Sequence, residues 1–367
     1  MTGMPDLFLV GCTSQGPYPF GRAQRIGCRR TGWTPAPARP EGGGMRLLVL
    51  GGTHFLGRHV VDAARAAGHD VAVLTRGVSG GPPDGVRAFR ADRDDPLPDD
   101  VLAWAPELVV DTSCQTRAAA EHAAALDPRG YAFVSSLNAY RHWPPGPLRS
   151  EDEPTWDTDD DEYGPVKAHA ERVLGAAFGD RFLTARAGLV AGPHDRLHRL
   201  GWWLARIAEG GPVVVPDALD QPIALVDARD LAGWLVEVCG RASGPANATG
   251  PAGMTTFGAL LDTCREVTGG DAAWVVVPEA ELLAAGVQPW QHLPFWLPAD
   301  VARTAWDVDT TRARELGLPV RPVQDTVADT WAWQRGADLP VPPPGRDLPG
   351  LPPDLEARLL ADHRPRT

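Results

Sequence analysis

Lysine is almost missing from this chain. Of 35 basic residues in 367, only Lys167 is a lysine; arginine fills every other place. Tyrosine is scarce too, with four residues, of which Tyr163 stands four before that lysine. No apolar run approaches the roughly 18 residues that a spanning helix requires, so no membrane role is expected. Leu9-Val10-Gly11-Cys12 has the outline of a lipoprotein cleavage site. The preceding residues carry Asp6 and no positive charge, and the apolar stretch is too short for a signal segment. The five cysteines (Cys12, Cys28, Cys114, Cys239 and Cys264) form no C-x-x-C pair and are odd in number. That excludes a closed disulfide framework and fits free thiols in a reducing cytoplasm. No histidine spacing suggests a metal site. Acidic residues outnumber basic ones, 47 to 35, giving a formal net charge of -12. A phosphate backbone would be repelled, so nucleic acid is not an expected partner.

What is present begins with that Tyr-x-x-x-Lys pair. Residues four apart on a helix share a face, so the Lys167 ammonium can approach the Tyr163 phenol. A neighbouring cation favours phenolate and draws the proton affinity of a tyrosine, about 10 when unperturbed, toward working pH. This makes a general acid/base for a hydroxyl or carbonyl. An arginine would serve less well, because its guanidinium is planar and permanently charged.

Residues 1–44 are rich in Gly, Pro and Arg, lack sustained periodicity, and end in Glu41-Gly42-Gly43-Gly44. We expect a disordered leader there, with Met45 as the natural start. From 46 to about 190 short apolar runs (46–50, 71–75, 107–111, 131–135, 182–190) alternate with helical stretches such as 56–67, 116–126 and 163–178. The alternation predicts an α/β fold, a Rossmann-type doubly wound parallel sheet with helices on both faces. After Gly192-Pro193 the texture changes to a Trp-rich helix over 197–209, a strand over 223–226, and helices over 227–238, 256–267 and 323–333. We therefore expect a dinucleotide-binding domain over 45–193. A smaller mixed α/β substrate region, partly interleaved with it, should cover 194–338, and a Pro-rich tail 339–367, with one short helix at 354–361.

The first strand runs into Gly51-Gly52-Thr53-His54-Phe55-Leu56-Gly57, opening a helix at Leu56. A glycine-rich turn there aims free backbone N–H groups and the helix's positive end at one point, where a dinucleotide pyrophosphate can sit. Alone the turn is moderately specific; its place in a strand-turn-helix unit strengthens it. His54 stands where a middle glycine would allow closest backbone approach. The second strand ends in Thr75-Arg76-Gly77 and lacks the acid that would hydrogen-bond an adenosine ribose 2'-hydroxyl. Arg76 is set to pair with a 2'-phosphate, with Arg58 able to assist, so NADP(H) is favoured over NAD(H); the plain alternative is two solvated arginines. Asp92 is a candidate adenine contact.

The fifth apolar run reads Tyr131-Ala-Phe-Val-Ser135-Ser136-Leu137-Asn138-Ala139-Tyr140, which brings hydroxyls to the carboxyl end of a parallel strand, where such sheets bind ligands. With the glycine turn, Val134-Ser-Ser-x-x-x-Tyr140, Tyr163-Gly-Pro-Val-Lys167 followed by Glu171, Arg186 through Gly192-Pro193, Val226-Asp-Ala-Arg-Asp230 and Asn247-Ala-Thr-Gly250, the chain resembles the extended short-chain dehydrogenase/reductase superfamily, in its NAD-dependent epimerase/dehydratase branch. The resemblance covers most of 45–335, is highly specific as a set, and is nearly silent on substrate. It implies that Tyr163 is the general acid/base and that Lys167 also holds the nicotinamide ribose. Ser136 would hydrogen-bond the substrate oxygen, and Thr112 and Ser113 would lie against the cofactor. It further implies hydride transfer at a carbinol carbon of a small molecule, and a possible homodimer.

Two departures from the branch, Thr75-Arg76 in place of an acid and no glycine after Tyr140, favour a reductase or dehydrogenase, or an epimerase of an unusual substrate. The second reading is a nucleotide-sugar epimerase or dehydratase that keeps its cofactor bound; the third is a non-catalytic cofactor-binding or RNA-associated relative. Asn138, His142, His194, Asp195 and Trp203 are candidate substrate contacts. Trp202, Trp290 and Trp296 join Trp203 either in an aromatic-lined pocket or, as the better reading of each, in core packing. Eight of the twelve residues from Glu151 to Glu162 are acidic, which reads as a solvated loop.

Overall fold

The computed structural model describes residues 44–78, 80–337 and 348–363. The expected leader, with Cys12 and Cys28, therefore lies outside the described residues apart from Gly44.

Strand β1 (Arg46–Leu50) is apolar after its first residue, and its side chains divide between two cores. Leu47 and Val49 face helix α1 (Phe55–Ala66), while Leu48 and Leu50 face the opposite layer. Strands buried on both faces read as unbroken apolar runs for this reason. The same holds for β2 (Asp70–Thr75), β4 (Leu108–Asp111), β5 (Gly130–Ser136) and β6 (Phe182–Ala187). The short strand β3 (Arg87–Arg90) carries an arginine at each end, which suits a sheet edge that should not recruit another strand. Helix α2 (Asp99–Trp104), α3 (Arg117–Ala123) and α4 (Tyr163–Phe178) cover one face.

After β6 the chain continues through β7 (Leu189–Ala191), α5 (Arg199–Ala208), β8 (Pro212–Pro216), β9 (Pro222–Ile223) and β10 (Leu225–Asp227). It then returns to the sheet as α6 (Ala228–Val238), packed beside α1, and β11 (Gly244–Ala248). The result is a seven-stranded sheet, parallel throughout, in the order β11-β6-β5-β4-β1-β2-β3. The order reverses between β1 and β4, the switch point at which such sheets open a crevice at their carboxyl ends.

Apart from α10 (Thr311–Glu315), whose Ala313 packs in the sheet's core, the rest forms a second layer: β12 (Thr255–Thr256), α7 (Phe257–Thr268), β13 (Ala273–Val277), α8 (Glu279–Ala284), α9 (Ala299–Ala305), α11 (Val323–Gln334) and α12 (Pro353–His363). Its core joins Trp203, Leu204 and Ile207 of α5 to Phe257, Leu260 and Leu261 of α7, Val213–Val215 of β8, and Leu355 and Leu359 of α12. Within the Pro-rich tail, α12 is docked by those two leucines. No helix among the described residues is long and apolar enough to cross a membrane.

Candidate active site

Helix α1 opens beneath the carboxyl end of β1, and its N-cap residue, His54, provides no side-chain cap. The first-turn N–H groups are thus left for a ligand. The glycines around it are required by space. A Cβ on Gly57 would lie 2.0 Å from the Gly51 carbonyl oxygen, and one on Gly52 2.4 Å from Val73. Gly51 also takes φ +93°, and a Cβ there would meet Ser113 at 2.5 Å. Thr112 and Ser113 therefore pack under the turn. Their hydroxyls are engaged by the protein: Thr112 Oγ1 donates to the Leu50 carbonyl (3.1 Å), and Ser113 Oγ accepts from Arg93 (3.0 Å). Thr53 Oγ1 lies 3.4 Å from that of Thr75. Burial, then the nearby Arg196, lowers the His54 imidazole to about 4, so it meets a ligand as a neutral ring. Phe55 and Leu56 begin the helix, and Arg58 is exposed on it.

At the carboxyl end of β2, the Thr75 hydroxyl accepts the Gly77 N–H (3.1 Å) and so shapes the turn that presents Arg76. The Arg76 guanidinium reaches solvent and lies 3.7 Å from the Asp92 carboxylate. Arg90, missed in the sequence, stands across the same turn: a Cβ on Gly77 would meet its Nη1 at 2.5 Å. Two arginines thus converge there, against one carboxylate.

The reacting groups come together where β5 ends and α4 begins. Lys167 is 2% exposed, and its ammonium donates to the carbonyls of Cys114 (2.8 Å) and Val134 (3.2 Å). It also lies 5.6 Å from the Tyr163 ring centre and 5.1 Å from that of Phe133. An ammonium has three donors, so the protein uses two and leaves one. The Tyr163 hydroxyl makes no hydrogen bond with any described residue. Ser136 caps the turn after β5; its Oγ accepts the Asn138 N–H and donates to Asn138 Oδ1, both at 3.2 Å. A Cβ on Gly164 would come within 2.3 Å of the Asn138 carbonyl, so glycine lets α4 start directly against that turn. Ser136, Asn138, Tyr163 and Lys167 are thereby gathered in one place.

Behind them lies a buried scaffold. Ser135 Oγ donates to Glu171, which pairs with Arg186 at 2.7 Å. The Arg186 guanidinium stacks 4.5 Å over the Tyr140 ring, whose hydroxyl donates to Asn247 (2.7 Å). Burial pushes the Tyr140 phenol up to about 12, which leaves it a structural donor. Ser135 and Tyr140 are thus committed to the buried scaffold, whereas Ser136 bonds only within its own turn, to Asn138. The acidic loop is anchored too: Arg117 donates to the carbonyls of Thr158 and Asp160 and pairs with Asp159 and Asp161, whose carboxylates face water just before Tyr163.

The candidate substrate contacts divide. His142 is exposed in the turn after Tyr140, and His194 sits in a left-handed turn with its ring 5.5 Å from His59 and 5.1 Å from Trp333. Burial, then the nearby Arg58, lowers His194 to about 4. His59, also missed, donates to the Pro193 carbonyl (3.0 Å) and ties this loop to α1. Two expectations need correction. Trp203 is wholly buried and its N–H donates to the Pro294 carbonyl (2.8 Å), so it packs the second layer's core and has no face for a ligand. Asp195 is turned inward, accepting the N–H groups of Leu197, His198 and Arg199 ahead of α5; burial raises it to about 6.

Comparison with known proteins agrees with this architecture. Among solved structures, UDP-glucose 4-epimerase of Thermotoga maritima with UDP-glucose superposes with a TM-score of 0.60 at 19% identity, over 80% of this chain and 99% of that one. UDP-glucose 4-epimerase of Thermus thermophilus in complex with NAD gives 0.58 at 21%, over 80% and 100%. The fold is that of these epimerases. In sequence, the chain is 34% identical over 212 residues to 2'-dehydrokanamycin reductase of Streptomyces kanamyceticus, across 54% of this chain and 59% of that reductase. No protein-family profile matches the chain.

Proposed function

We propose that this protein is an NAD(P)-dependent oxidoreductase of the extended short-chain type, and that it reduces a ketone of a small molecule with NADPH as the favoured donor. The observation that carries the reading is the single ammonium of the chain, held by two carbonyls beside the Tyr163 ring at the carboxyl end of the sheet. The Gly51–Gly57 turn and the open start of α1 would hold the pyrophosphate, Arg76 and Arg90 the 2'-phosphate, and the third donor of Lys167 a ribose hydroxyl. The nicotinamide, when bound, supplies the hydride. Ser136 Oγ would hydrogen-bond the ketone oxygen, and Tyr163 would deliver a proton to it, leaving a secondary alcohol.

The substrate class follows from the reductase that this chain resembles, whose name gives 2'-dehydrokanamycin, the ketone of an amino sugar. The carboxylates of Asp159 and Asp161, and the net charge of -12, would favour approach of such a cation. Buried Cys114, Cys239 and Cys264, all free thiols, fit a cytoplasmic location. The test is consumption of NADPH, followed by absorbance, with 2'-dehydrokanamycin and related keto-sugars; no turnover of any ketone would sink the reading. The epimerase reading draws on the solved epimerases above. It predicts purified protein with tightly held oxidised cofactor and no net NADPH consumption.

A further inference from the structure

Arg93 directly follows Asp92, yet its side chain runs inward and is 11% exposed. Its Nη1 and Nη2 each donate to the Asp111 carboxylate at 2.9 Å, and Asp111, the last residue of β4, is wholly buried. Arg93 also donates to Ser113 Oγ (3.0 Å) and the Ala119 carbonyl (2.9 Å). Asp111 in turn accepts the Ser113 N–H (3.0 Å) and the Tyr131 hydroxyl (2.7 Å). The pair thus fixes residues 111 to 113 by backbone and side chain. The next carbonyl in the chain is that of Cys114, which takes the Lys167 ammonium at 2.8 Å.

A buried ion pair is a poor device for stability, because desolvation offsets much of the attraction and an apolar set of similar volume often does better. What two forked, charge-assisted hydrogen bonds supply is direction. We propose that Arg93 and Asp111 are positioning residues for Lys167: they set the 111–114 segment so that the Cys114 carbonyl keeps the ammonium beside Tyr163. The proposal rests on the Tyr163–Lys167 reading above.

Lys167 is the only ε-amine in the chain, so its exposure can be read without background. The probe is acetylation by an N-hydroxysuccinimide ester at mildly alkaline pH, resolved by peptide mass spectrometry. In Asp111→Asn, Lys167 should react at least about tenfold faster than in the wild type, the scale of one lost charged hydrogen bond. Leu174→Ala, which opens a cavity under α4 at a similar cost in Tm, should leave the rate near wild type. The variant Arg93→Met/Asp111→Leu/Tyr131→Phe removes the three buried polar side chains together, leaves the Ser113 N–H and hydroxyl and the Ala119 carbonyl without those partners, and should keep more of the wild-type Tm than Asp111→Asn does. There a positioning role still requires fast acetylation and weakened NADPH binding, whereas a purely structural role requires wild-type values of both. Wild-type acetylation in that variant, or equal rates in Asp111→Asn and Leu174→Ala, overturns the proposal. Turnover that survives in Tyr163→Phe would instead overturn the catalytic reading of the pair, leaving the acetylation result to stand by itself.

Discussion

The Lys167 ammonium lies 5.6 Å from the centre of the Tyr163 ring, and both side chains share one face at the start of α4. On the proposed mechanism, removing the phenol oxygen in Tyr163→Phe deletes the proton donor and little else. Turnover should fall by roughly two to four orders of magnitude, the usual share of a positioned acid/base. NADPH affinity, read by tryptophan fluorescence, should stay within about twofold, since the ring remains. Lys167→Arg should lose both, because a planar fork does not fit where a compact ammonium meets two carbonyls.

Gly57→Ala tests the phosphate cradle. Its new methyl would stand 2.0 Å from the Gly51 carbonyl oxygen, and neither backbone can retreat without moving α1 away from β1. NADPH affinity should drop by at least about tenfold with a lower Tm, about 1–3 kcal/mol being the ordinary cost of such overpacking. Titration calorimetry beside a melting curve measures both; unchanged affinity would place the cofactor elsewhere.

Arg76 and Arg90 flank the turn at Gly77, and the proposed function assigns them a 2'-phosphate. Each replacement by alanine should weaken NADPH about tenfold while leaving NADH nearly untouched, so the two dissociation constants converge. Equal losses for both cofactors would refute the assignment.

His54, His194 and His198 are each lowered to about 4, burial being the largest cause in each case. Their free value is 6.5, so between these limits the folded protein binds fewer protons than the unfolded chain. Stability from this source is present above pH 6.5 and is lost as pH falls through 4. Asp195, raised to about 6, works the other way: its burial costs stability above that pH and the cost fades below about 3.8. Melting curves from pH 7 to 4.5 should show a falling Tm, with a shallower slope in His198→Asn. Asp195→Asn should raise Tm at pH 7.5 and not at pH 4.

Much of this was legible in the residues. The helix expected over 163–178 is α4, and the first apolar run is β1, because periodicity and short bounded runs are local signals. The glycine turn and the Tyr-Lys spacing are local as well. Arg93 with Asp111 is not: eighteen residues and a helix separate them, and their pairing exists only once β4 and the loop after β3 are neighbours. The same is true of Ser135 with Glu171, a bond that engages Ser135 and not its neighbour Ser136. Trp203 left two readings open, with core packing the better one, for another reason. An indole suits a core and a pocket equally, and only its burial against Pro294 separates the two.

The chain leaves the seven-stranded sheet after β6, comes back through β10, α6 and β11, and departs again. Both lobes therefore contribute connecting segments to the border of the Tyr163 region. If the proposed function holds, swapping the bordering loops, residues 138–162 and 192–198, between relatives would be the economical way to change what is accepted there.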